Sequence, residues 1–232
     1  MVSIDIGLST LAVFVPASIA LILAPGPDSL YVLTRSIGGG QRNGLASALG
    51  TSTGILVHTT AAVLGLSAIL RTSALAYTVV KYAGALYLLY LGVQTIRHKE
   101  DFDLQVDDAD TDAEADSGGG VGGEISTDVD TVESYRRGVV INVLNPKVAV
   151  FFLAFLPQFV TPGAGAWLDM SLLGVTFTVL TMCYLGTLAL VSSRVKAVLT
   201  SRPRVTDAIR WAAGSVIIGF GIELAIGERV SG

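Results

Sequence analysis

LILAPGPDSLYV, residues 21–32, sets two prolines, a glycine and an aspartate inside a run that otherwise reads as one apolar helix. Proline lacks the backbone N–H and crowds the carbonyl one turn back. Pro25 and Pro27 therefore predict a break or strong kink near Ala24–Pro27, and Gly26 weakens the helix further. Freed carbonyls and amides at such a break can serve a ligand. Asp28 follows directly, at the start of a second half-helix, where the helix dipole favours a carboxylate. Two simpler roles stay open: prolines that only shape a bundle, and an aspartate that only caps.

The surroundings make this break expensive. Of 232 residues, 51% are hydrophobic and 15% charged, and the mean hydropathy is +0.64. A soluble domain of this size carries more polar surface. Six apolar segments stand out: 8–33, 44–70, 74–96, 138–160, 170–192 and 209–226. Each is long enough, or nearly so, to cross a hydrocarbon core of roughly 30 Å as a helix. Backbone groups in lipid must be satisfied internally, so helices are the expected form. The N-terminus has no positive residue ahead of its apolar run and reads as the first span rather than a signal peptide.

Eleven lysines and arginines fall in the first, third and fifth connections, and only Arg71 and Arg229 clearly lie on the opposite side. The positive-inside rule then predicts a multi-pass cell-membrane protein with both termini extracellular. Residues 100–134 differ in kind. They hold thirteen of the nineteen acidic residues and no lysine or arginine. That composition predicts a disordered cytoplasmic linker. It separates a first three-helix half, residues 1–99, from a second, residues 135–232. An odd number of spans per half makes the second half inverted, a layout common in transporters. The expected fold is an all-α membrane protein of six transmembrane helices, as two inverted three-helix halves, with helices 1 and 4 discontinuous or kinked.

The fourth span, NVLNPKVAVFFLAFLP, repeats the interruption of the first. Asn142 and Asn145 share a helix face, Pro146 loosens the backbone, and Lys147 is an intramembrane charge. Lys147 is a candidate for a substrate carboxylate, for pairing with Asp28, or for snorkelling to the interface. Span 2 carries Ala46, Gly50, Gly54, His58 and Ala62 at four-residue spacing, a stripe that lets helices approach closely. His58 is a candidate proton carrier or an inert hydrogen-bonded partner. His98 reads as interfacial charge. The lone Cys183 excludes an intramolecular disulfide. No metal-ligand cluster, phosphate loop or hydrolase serine motif is present, and nothing points to nucleic acid.

These pieces resemble the lysine exporter (LysE/RhtB-type) family of amino-acid efflux permeases. The likeness rests on APGPDSLYVLTRSIGGGQRNGLASALGTSTGILVH, KYAGALYLLYLG, NVLNPKVAVFFLAFLPQFV and IRWAAGSVIIGFGIELAIGE, in family order and outside the acidic linker. It implies signature positions at Pro25, Gly26, Pro27, Asn145, Pro146 and Lys147. The resemblance further implies ion-coupled export of amino acids or close derivatives, with no cofactor. The expected substrate-binding residues are Pro25, Gly26, Pro27, Asp28, Asn142, Asn145, Pro146 and Lys147. Asp28 and His58 are the expected ion-coupling residues, for H+ or Na+. The expected partners are the amino acid, the ion and the lipid bilayer, with a homo-oligomer left open. Two rivals stand beside this reading. One is an intramembrane enzyme using Asp28 and His58. The other is a non-transporting sensor that signals through the acidic linker.

Overall fold

A computed structural model describes residues 6–24, 26–66, 74–97, 127–161, 163, 165–195 and 203–226. Pro25, His98 and linker residues 100–126 lie outside the described residues. The described chain is helical throughout, and no strand occurs in it. In chain order the helices are α1 (Leu8–Leu23), α2 (Pro27–Gly38), α3 (Gly40–Ala61), α4 (Ala74–Arg97), α5 (Thr127–Val143), α6 (Pro146–Val150), α7 (Ala166–Leu190) and α8 (Pro203–Ile226). A π turn, Ala62–Leu66, extends α3. A second π turn, Phe151–Phe155, and a 3₁₀ turn, Leu156–Phe159, extend α6. Among the described residues, four helices are long and apolar enough to cross a bilayer unbroken, and there are up to six spans if each of two bent pairs counts as one.

Both bends follow from the residue before a proline. Ring crowding drives that residue out of the helical region. Ala24 precedes Pro25 and has ψ 112°, Gly26 precedes Pro27 and has ψ −179°, and Asn145 precedes Pro146 and has ψ 107°. All three are extended. Pro27 and Pro146 then open the next helices, where a missing N–H costs nothing. The α1–α2 pair bends by 55° and the α5–α6 pair by 50°. Gly40 connects α2 to α3 with φ 79°, in the left-handed region that favours glycine.

The acidic segment behaves differently from its composition at one end. Helix α5 begins at Thr127, inside the 100–134 stretch read as linker. The reason is docking. Ser134 is fully buried and accepts the Arg35 guanidinium on its hydroxyl at 2.8 and 2.9 Å. Its carbonyl accepts the Tyr31 hydroxyl at 3.0 Å, and Thr131 donates to the Asn43 side chain at 2.9 Å. Contacts to α2 and α3 therefore extend the helix beyond what charge content suggests.

Apolar burial drives helix association weakly in lipid, because the tails are as apolar as leucine, so close packing matters more. Helix α3 lies chiefly along α5, and α4 along α8. A Cβ added at Gly50 would stand 2.0 Å from the Tyr135 carbonyl oxygen, and one at Gly54 2.7 Å from the Asn142 side chain. The span 2 stripe is thus a packing seam. Gly92 and Gly214 form a reciprocal contact between α4 and α8, each 2.8 Å from the other's carbonyl oxygen by the same measure. The largest apolar cluster is aromatic. Phe14 of α1 packs edge-on to Phe159 at 5.3 Å, and Phe151 lies 4.6 Å from Phe177 of α7, centroid to centroid.

The Gly50 contact is with backbone and cannot be relieved by a rotamer change. Gly50→Val is expected to destabilise the protein by on the order of 1–3 kcal/mol or more. Leu49→Ala, at a side chain 51% exposed on the same helix, is expected to change little. Thermal unfolding of both variants in detergent measures the difference.

Candidate functional site

A proline removes one donor and so orphans one carbonyl four residues earlier. Pro25 orphans Leu21, and Pro146 orphans Asn142. The Lys147 ammonium donates to the Leu21 carbonyl at 3.4 Å and to the Ala24 carbonyl at 2.8 Å. The Asn142 carbonyl receives the Asn145 N–H at 2.9 Å and lies 3.0 Å from His58 Nε2. A carbonyl only accepts, so this ring nitrogen carries the hydrogen. The first break is thus closed by a side chain from the second bent pair, and the second break by one from α3.

The side-chain amides link the two breaks. Asn142 Nδ2 and Asn145 Nδ2 both donate to Asp28 Oδ2, at 3.1 and 2.8 Å. Asn145 is also the N-cap of α6, its Oδ1 accepting the Lys147 N–H at 3.0 Å. Its side chain serves two functions because the amide has a donor end and an acceptor end. Asn142 and Asn145 are almost fully buried, at 0% and 2% exposure. Lys147 is 8% exposed and so does not snorkel; its ammonium is held by carbonyls rather than by Asp28. Gly26 is where the chain passes this ammonium. A Cβ there would stand 3.0 Å from Lys147 Nζ.

Gly26, Asp28, His58, Asn142, Asn145 and Lys147 therefore meet at one place, with Pro27 and Pro146 shaping the backbone beside them. Pro25 contributes through its missing N–H. The His58 ring also stacks on Phe152, 6.0 Å between centroids.

Beside this junction lies a small, partly open recess. Asp28 and Lys147 both line it, so opposite charges face one space. Asp28 Oδ1 is buried and without a hydrogen-bond partner. An ammonium has three donors, and Lys147 directs two at carbonyls. The site thus offers an acceptor for a cationic group and a donor for an anionic one. The remaining wall is largely apolar and includes Ile55, Val148, Phe177 and Leu185, with hydroxyl-bearing Ser29 from α2 and Thr181 and Tyr184 from α7. The sequence reading missed Thr181, Tyr184 and Phe177. They sit on an uninterrupted apolar helix with no local signal. Among the described residues, no group of three or more His, Cys, Asp or Glu is placed to hold a metal ion.

The profile of the LysE type translocator family matches residues 19–228. A homoserine/homoserine lactone efflux protein of Salmonella typhimurium is 32% identical over 208 residues, covering 90% of this chain and 92% of its own. A leucine efflux protein of Klebsiella pneumoniae is 26% identical, covering 95% and 97%. A membrane protein of Pseudomonas aeruginosa is 31% identical, covering 95% and 96%. No solved structure matches significantly. With two interrupted helices, a membrane-type composition and a family match along nearly its whole length, this chain belongs to the LysE type translocator family.

Proposed function

We propose that this protein is a secondary active exporter of amino acids or close derivatives in the cell membrane, driven by proton antiport through alternating access. One observation carries the reading: Asp28 and Lys147, from two different bent helix pairs, line the same recess. The substrate ammonium takes the unpartnered Asp28 oxygen. Its carboxylate takes Lys147 and the backbone near Gly26. One negative and one positive wall group suit a zwitterion without leaving excess charge in a low-dielectric space. Relatives named for homoserine and leucine efflux support the same solute class.

The element order supports two inverted halves. Each half holds a bent pair followed by two long helices. Pairing α1–α2 with α5–α6, α3 with α7 and α4 with α8 makes the α4–α8 contact self-reciprocal, as the Gly92–Gly214 approach is. Rocking of one half against the other around the shared site provides alternating access. The excess of arginine and lysine in the first, third and fifth connections supports extracellular termini and a cytoplasmic acidic linker.

Coupling is assigned to Asp28 and His58. Asn142 touches both: its amide donates to Asp28, and its carbonyl receives His58. A proton gained or lost at either group therefore acts on the same residue, at the hinge of the second break. Sodium is the competing ion, and it predicts pH-independent, sodium-dependent exchange.

Counterflow in proteoliposomes with a panel of labelled amino acids is expected to show exchange of uncharged members. Absence of exchange across the panel overturns the exporter assignment. Replacing Pro25 and Pro27 together by alanine restores donors for the Leu21 and Leu23 carbonyls, the first of which Lys147 now holds. That double variant is expected to insert normally and to lose transport by at least about tenfold. Asp28→Asn keeps the amide contacts roughly in place but removes the titrating group. It is expected to flatten the pH dependence of efflux, read as initial rate from pH 5.5 to 8.5, and wild-type dependence in this variant removes Asp28 from the coupling path.

A further inference from the structure

Threonine and serine hydroxyls inside helices usually donate to the carbonyl four residues back, which hides them from an apolar environment. Helix α7 follows this pattern at Ser171, Thr176, Thr178 and Thr187, whose hydroxyls bond to Trp167, Leu172, Gly174 and Cys183 at 2.7–2.8 Å. Thr181 departs from it. Its Oγ1 is buried with no partner, the residue is 5% exposed, and it lines the recess that Asp28 and Lys147 face. Ser18 and Thr51 also have unpartnered hydroxyls, but neither lines that recess. Tyr184 lines it too, but its side chain is only partly buried.

A buried hydroxyl without a partner is a standing cost unless a ligand supplies one. The flanking wall positions of Thr181 are apolar: Phe177 lies one turn before it and Leu185 one turn after, with Ile55 from α3. Apart from Asp28 and Lys147, no charged group lines the recess. We infer that Thr181 is a specificity-determining residue: the recess beyond the Asp28–Lys147 pair receives the substrate's side chain, and the Thr181 hydroxyl reads a hydroxyl on it. The class favoured is a short, uncharged, hydroxylated α-amino acid. An aliphatic side chain of the same size is expected to be carried less well, with Thr181 turning back to the Phe177 carbonyl. A cationic side chain has no counter-charge there.

This assignment rests on the exporter reading, and the experiment separates the two. Homoserine and norvaline differ by a hydroxyl in place of a methyl, so their competition ratio isolates the contact. Counterflow in proteoliposomes is measured with each, for wild type, Thr181→Val and Thr181→Ser. Wild type is expected to favour homoserine by about three- to tenfold, the size of one net neutral hydrogen bond. Thr181→Val, nearly isosteric, is expected to bring the ratio to about one while norvaline exchange persists, which also shows the variant is folded. Thr181→Ser is expected to keep the preference. An unchanged ratio in Thr181→Val, an equal loss of both substrates, or a Ser variant that behaves like Val overturns the assignment while leaving the exporter reading intact. If wild type exchanges neither amino acid nor any other of the panel, the exporter reading falls and takes this assignment with it.

Discussion

A carbonyl left without its helical donor inside a membrane protein must find another, and the rest of this structure depends on where the donors come from. Water is absent from the hydrocarbon core, and an unsatisfied backbone group there costs several kcal/mol. Pro25 and Pro146 create such carbonyls at Leu21 and Asn142. Lys147 from the second bent pair answers the first, and the Asn145 N–H together with His58 from α3 answers the second. Asn142 and Asn145 add donors to Asp28 across the same junction. The helix breakers and the intramembrane charges are therefore one feature. The breaks need the charges as donors, and the charges are tolerable in lipid because the breaks give them partners.

This exchange of partners works only at short range, which explains the distribution of small residues. Asn142 reaches Asp28 because α5 lies against α3 with no side chain between them at Gly54. Gly50 brings the α3 backbone to the Tyr135 carbonyl, and Gly138 does the same from the other side, a Cβ there falling 2.6 Å from the Ser47 carbonyl. The seam places His58 and Asn142 within a hydrogen bond of each other. On the opposite flank the phenylalanine cluster fills the space around the α6 extension. Phe152 of that cluster stacks on His58, and Phe177 forms part of the recess wall. Packing thus reaches the site from two sides, through glycine on one and aromatic rings on the other.

The breaks were legible because proline acts locally. Its ring fixes the residue before it and deletes one donor, whatever the tertiary context, so Ala24, Gly26 and Asn145 could be read as interruptions from order alone. The meeting of Asp28 with the two asparagines was legible in part, since polar residues on two interrupted spans have few places to go in lipid. Which group Lys147 would choose was not. Carbonyl and carboxylate are both good acceptors, and only the distance between the bent pairs decides between them. Thr181 was invisible for a similar reason: it differs from Thr176, Thr178 and Thr187 only in a bond it does not make. The start of α5 was hidden by charge, because the contacts of Thr131 and Ser134 with α2 and α3 lie within an acidic stretch. Glu133 shows how the two coexist, pairing with Arg137 at 2.7 Å on the exposed face while Ser134 beside it is buried.

On the exporter reading, the internal partners also limit how tightly a substrate can be held. A transporter must release what it binds, so a site that starts with strong, unopposed charges would be a trap. Here a substrate carboxylate approaching Lys147 must compete with the Leu21 and Ala24 carbonyls, and only the difference counts as affinity. If Lys147 leaves those carbonyls, they are orphaned again unless the helix ends move to new donors. Binding and bending are then linked by the same hydrogen bonds. A substrate that draws Lys147 toward itself loosens the first break, and its ammonium, on Asp28, bears on the amides that hold the second. On that reading both breaks would respond to one zwitterion, because each of its charges would engage a group that ties the two bent pairs together.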